Sequence, residues 1–110
     1  MDADKVKPHR WLWDPNYPPL VLFDDGEYSA IWGKYEGRKC LGVRYNETPK
    51  SSVGYPQYAG NPLWYVEPHF LTKQLLDEFL KFALVAHEKE YIKNCLFAID
   101  EFIDLLKNIK

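Results

Sequence analysis

The stretch Glu27–Asn46, EYSAIWGKYEGRKCLGVRYN, constrains this chain more than any other. It alternates side chains around a central Glu36-Gly37 and reads as a β-hairpin. If Glu36-Gly37 is a two-residue loop, Tyr35 pairs with Arg38 and Lys34 with Lys39, and the register propagates outward. Alternation then sorts the side chains onto two faces. One face collects Tyr28, Ala30, Trp32, Leu41, Val43 and Tyr45, and this is the expected core face. The other carries Ser29, Ile31, Gly33, Tyr35, Arg38, Cys40, Gly42 and Arg44, thinned at Gly33 and Gly42. Glycine inside a strand marks a bulge or a close approach by another part of the chain. A three-residue loop, Tyr35-Glu36-Gly37, is the competing register and separates the faces less cleanly.

The remaining elements are placed around this hairpin. Residues 1–19 form a proline-rich arm in which Pro8, Pro15, Pro18 and Pro19 exclude regular helix. Its rings, Trp11, Trp13 and Tyr17, call for a packing partner, either the glycine-thinned face or a neighbouring subunit. Leu20–Phe23 is a short apolar strand, and Asp24-Asp25-Gly26 supplies a hairpin turn. Residues 47–62 make a long loop rich in Gly, Pro, Ser and Asn. Leu63–Val66 is a fourth strand. Pro68 suits the first turn of a helix, and Phe70, Leu71, Leu75, Leu76, Phe79, Leu80 and Ala83 recur at helical spacing. The phase breaks near Ala86-His87, and a second helix runs from about Glu88 to Lys107. The expected fold is therefore α+β: one domain over 1–110, with an antiparallel meander of about four strands in residues 20–66. C-terminal helices in residues 68–108 pack on its Trp32/Leu41/Val43 face.

Charge and composition narrow the partners. The 14 basic and 16 acidic residues leave a net charge of -2, which argues against a dedicated nucleic-acid binder. Four Trp and eight Tyr predict a core of large rings. No segment reaches the roughly 18 apolar residues of a membrane span, and the first residues lack a signal-peptide core. A cytoplasmic protein without membrane association is the expectation. Cys40 and Cys95 read as small buried hydrophobes, and the three histidines lack metal-ligand spacing. Neither a metal nor a cofactor is expected.

Two polar constellations stand out. Arg44 and Asn46 end the hairpin beside the long loop, where an arginine can clamp an anion and an asparagine can donate and accept. With Tyr55 and Trp64 they make the expected ligand contacts. The competing reading pairs Arg44 with a local acid and lets Asn46 begin a turn. Glu67-Pro68-His69 joins a carboxylate and an imidazole at a strand-to-helix junction, the ingredients of an acid/base pair. The competing reading has Glu67 capping the helix N-terminus and His69 in solvent.

The ordered motifs Gly42-Val43-Arg44-Tyr45-Asn46, Gly54-Tyr55-Pro56 and Pro62-Leu63-Trp64 resemble a family of small bacterial proteins often encoded on mobile gene cassettes such as those of integrons. The resemblance covers roughly Leu20 to Leu76. It departs from the family pattern at Tyr45, where a tryptophan is usual, and at His69, where an acidic residue is common. It implies a bacterial mobile-element setting and brings no established activity or catalytic residue.

The leading expectation is a non-enzymatic binding or interaction protein, recognising a small molecule or a protein partner through residues 44–64. A small hydrolase- or lyase-like enzyme using Glu67 and His69 is the alternative. The second helix has two adjoining apolar stripes, more than one packing partner covers. A homo-oligomer, most simply a dimer, is therefore expected, with Phe102, Leu105, Ile109, Trp11 and Trp13 at the interface.

Overall fold

A computed structural model describes Asp14, residues 16–46, Gly54, Tyr55, Gln57, Tyr58, Asn61, Pro62 and residues 64–108. Strands β1 (Leu20–Asp24), β2 (Tyr28–Tyr35), β3 (Arg38–Tyr45) and β6 (Tyr65–Val66) form one antiparallel sheet in the order β1-β2-β3-β6. Two-residue strands β4 (Gln57–Tyr58) and β5 (Asn61–Pro62) pair as a separate small hairpin within the long connection. Helices α1 (His69–Val85) and α2 (Lys89–Lys107) follow, so the fold is α+β as the sequence predicts.

The central hairpin has the two-residue register. Tyr35 pairs with Arg38, Lys34 with Lys39 and Trp32 with Leu41. Glu36 and Gly37 both take positive φ, 48° and 82°, the conformation of a type I′ loop whose twist matches the strands it joins. Ala30, Trp32, Leu41 and Val43 pack with Leu22, Leu76, Phe79, Cys95, Ala98 and Phe102 in the main core between sheet and helices. Across the sheet, Ile31, Cys40 and Trp64 form a smaller cluster, so Trp64 covers part of the glycine-thinned face.

Three residues, Asp25 to Glu27, connect β1 to β2. Asp24 Oδ1 accepts from the Gly26 N–H, and Asp25 Oδ1 accepts from the N–H groups of Glu27 and Tyr28. A bulge at Leu22 interrupts the β1 register between Val21 and Phe23. Around it the carbonyls of Val21 and Leu22 accept from Asn94 Nδ2 and Cys95 Sγ on α2. The bulge, which bends a strand locally, thus sets where α2 docks and which of its faces points inward.

That choice of face corrects one expectation. Phe102 is 1% exposed and lies edge-on to Trp32 in the chain's own core, not at a subunit interface. Leu105 is half-buried against the same cluster, while Ile109, Trp11 and Trp13 lie outside the described residues. The outward apolar stripe is the neighbouring one, with Leu96, Ile103 and Leu106 exposed. Both stripes follow helical spacing, so periodicity alone does not rank them.

Helix α1 ends in a Schellman motif. The Glu88 N–H donates to the Ala83 carbonyl, the His87 N–H to the Leu84 carbonyl, and His87 takes φ 56°. The arm rejoins the fold at Asp14, whose N–H donates to the Lys34 carbonyl. Tyr17 packs against the main core. No helix among the described residues is long and apolar enough to cross a membrane.

Candidate functional site

Strand β6 pairs only with Gly42 and Val43 of β3, and one further ladder bond, from the Glu67 N–H to the Leu41 carbonyl, fixes the chain as it leaves the sheet. Pro68 is the α1 N-cap in extended conformation (φ -68°, ψ 153°), and its carbonyl accepts from the N–H groups of Leu71 and Thr72 and from Thr72 Oγ1. The short β6 leaves room along the Arg38–Leu41 half of β3. A cavity of about 520 Å³ fills that space, lined by Tyr35, Arg38, Cys40, Tyr65, Val66, Glu67, Pro68 and His69. Its size lies within the range of small-molecule sites.

Glu67 and His69 therefore share a cavity wall, but no hydrogen bond joins them among the described residues. Glu67 does not cap α1 either: the N-cap is Pro68, and the Glu67 carboxylate makes no hydrogen bond to a described residue. Burial pushes the Glu67 carboxyl above its ordinary value, opposite to the direction that helix-dipole stabilisation would give. The His69 ring rests edge-on against Phe102, centroids 5.7 Å apart. On its other side Glu67 borders a second, open groove of about 600 Å³, with Tyr28, Leu71 and Leu75 as its apolar part. Burial, with the nearby Glu67 and Tyr45, raises the Tyr28 phenol.

The Arg44 constellation comes together, but inside the protein. Arg44 is 1% exposed, and its guanidinium carbon lies 5.9 Å from the centre of the buried Trp64 ring. Burial pulls the Arg44 pKa below its ordinary value. Asn46, also buried, accepts from Ser29 Oγ at 3.0 Å and donates to Asp24 Oδ1 at 3.4 Å. Gly54 presses on this cluster with φ 73°. A Cβ there would lie 2.1 Å from the Tyr45 carbonyl oxygen and 2.7 Å from Arg44 Nη2. The reciprocal backbone bonds of Tyr45 and Tyr55 hold the crossing in place. Of the four expected ligand contacts only Tyr55 is exposed, and none lines either cavity. The cluster stitches the long connection to the end of the hairpin. Its polar atoms are turned inward because Ser29, Asp24 and Trp64 surround them.

Sequence reading missed the cavity's other contributors. Arg38 reads as a turn-flanking charge and Tyr65 as a strand residue; only the shortness of LWYV hints that the β3 edge is partly uncovered. It also missed a cluster beside Trp32. There Glu101 of α2 pairs with Lys39 at 2.5 Å and accepts a hydrogen bond from the Tyr17 hydroxyl. The buried Trp32 indole N–H completes no hydrogen bond of regular geometry to a described residue.

Neither cysteine is suited to nucleophilic attack. Burial lifts the Cys40 and Cys95 thiols to about 11, far from the thiolate a nucleophile needs. Among the described residues no group of three or more His, Cys, Asp or Glu is placed to hold a metal ion. No protein-family model, curated protein or solved structure matches the chain.

Proposed function

We propose that this chain is a non-enzymatic binding protein of the bacterial cytoplasm, in the mobile-element setting its resemblance implies. Its ligand is a small carboxylic acid with an apolar or aromatic body and a hydrogen-bond donor, held in the Arg38–Glu67–His69 cavity. One observation carries this reading. Arg38, Glu67 and His69 line one cavity, and none of their side chains makes a hydrogen bond or ion pair to another described residue. Charges on α1 behave differently: Lys73 pairs with Asp77 and Lys81 with Glu78. A guanidinium presents a fork that matches a carboxylate. Tyr35 and Tyr65 offer ring surface to an apolar body. Glu67, disfavoured as an anion by its burial, gains from a donor on the ligand.

The enzymatic alternative draws on the same geometry, because Glu67 and His69 share the cavity. It lacks a described group that orients His69, whose ring meets Phe102 instead. Native mass spectrometry of freshly purified protein tests the binding reading, followed by thermal-shift titration with a panel of small aromatic and aliphatic hydroxy- and amino-carboxylates. A retained or stabilising carboxylate, lost in Arg38→Ala and Glu67→Gln, is the expected result. A chain that retains nothing and responds to no member of the panel overturns the reading. Turnover of a bound compound that Glu67→Gln abolishes would establish the alternative.

A further inference from the structure

The outward stripe of α2 has the spacing of a helix-pairing seam. Ile92, Leu96, Ile99, Ile103 and Leu106 stand four, three, four and three residues apart, the seam spacing of a coiled coil. Leu96, Ile103 and Leu106 are 50%, 39% and 42% exposed, and Ile92 and Ile99 are partly buried. The adjoining seam, Tyr91, Cys95, Ala98, Phe102 and Leu105, has the same alternation, and from Cys95 to Leu105 it packs into the chain's own main core. A seam of this period matches another helix of the same period.

We propose that α2 pairs antiparallel with α2 of a second copy, Leu96 of each chain packing against Ile99 of the other. The flanking charges select this arrangement. In heptad terms Lys93, Asp100 and Lys107 occupy the e positions and all are exposed, whereas the g positions hold Cys95 and Phe102, buried in the core. A parallel pair would set e positions against g positions, so it has no charged partner to offer. An antiparallel pair sets e against e. With Leu96 opposite Ile99, Lys93 of one copy stands near Asp100 of the other, twice by symmetry. Ile92 then faces Ile103, giving four apolar layers. Slid by one heptad, with Leu96 opposite Leu106, the same helices would place Asp100 against Asp100 and Lys93 against Lys107. The like charges disfavour that register. The seam from Ile92 to Leu106 is about 21 Å long. It makes a contact at the small end of specific interfaces, on the order of 1,000 Å². This pairing is independent of the ligand cavity.

Sedimentation velocity on the full chain, across a dilution series, decides it. The expected result is twice the chain mass at high micromolar concentration, falling to the chain mass on dilution. Leu96→Asp alters a half-exposed residue outside the main core, and is expected to be monomeric throughout with unchanged circular dichroism. Asp100→Lys faces Lys93 of the second copy and weakens the dimer about tenfold or more. Adding Lys93→Asp to it restores the pairing. A wild-type chain monomeric at the highest concentration overturns the proposal, as does a dimer that survives Leu96→Asp. Failure of the double charge swap to recover the dimer overturns the antiparallel register.

Discussion

Lys39 and Glu101, 62 residues apart, close an ion pair of 2.5 Å that ties the tip of the central hairpin to α2. Burial pushes the Glu101 carboxyl up, but the hydrogen bonds from Lys39 and Tyr17 and the Lys39 charge outweigh it and hold the group below its ordinary 4.5. A lowered folded value means that the stabilisation is complete above the unfolded pKa and is lost as pH falls through the folded one. Denaturation of wild type and Glu101→Gln is expected to differ by about 1 kcal/mol at neutral pH, since Lys39 is partly solvated. The gap closes in acid, and a gap that persists at low pH would refute the assignment.

Tyr17 gives the same cluster an alkaline limit. Burial first, then the hydrogen bond and negative charge of Glu101, raise its phenol from 10.0 to about 12. The raised value favours the protonated ring in the folded state, so this contribution is complete below pH 10 and fades as pH climbs toward 12. Absorbance titration should show one tyrosine ionising late, and Tyr17→Phe should remove that late step.

Trp32 lies at the centre of the main core, fully buried against Phe102. Trp32→Ala is expected to cost about 3–5 kcal/mol in chemical denaturation. Glu36→Ala, at the exposed turn, should change stability by no more than about 0.5 kcal/mol. Comparable midpoints for the two variants would contradict the face assignment.

His87 holds the left-handed position after α1, where glycine has no Cβ to crowd the following carbonyl. His87→Gly should therefore stabilise the chain by about 0.5–1 kcal/mol. A loss in the thermal midpoint would show that the imidazole makes a contact worth more than the strain.

The hairpin was readable because its loop and its alternation agree, and a one-residue slip would turn Trp32 and Leu41 to the opposite face. The helix break was readable from the phase change at Ala86-His87. The phase of α2 was not readable, since Ile103 and Phe102 sit on stripes of equal period. The bulge at Leu22 decides between them through the Val21 and Leu22 carbonyls, and no local signal in α2 records that contact. Likewise, residue type marks Arg44 as able to bind an anion but does not say that Trp64 and Gly54 will enclose it. The cavity joins Arg38 to Glu67 across 29 positions of sequence, by way of a strand whose shortness matters more than its composition.

Arg44 and Arg38 divide what sequence reading had assigned to one arginine. Arg44 is enclosed by Trp64, Gly54 and the end of β3, so truncating it opens a void beneath the long connection. Arg44→Ala is expected to destabilise the chain by about 3 kcal/mol. Arg38 is exposed at the cavity mouth and makes no ion pair among the described residues, so Arg38→Ala should stay within about 0.5 kcal/mol of wild type. Binding should sort the two the other way. Arg38→Ala loses a carboxylate clamp and weakens the ligand about tenfold or more. Arg44→Ala, studied where it remains folded, leaves affinity near wild type. Parallel denaturation and calorimetric titration of both variants check this. A stable Arg44→Ala that no longer binds would return recognition to the end of the hairpin and take it away from the cavity.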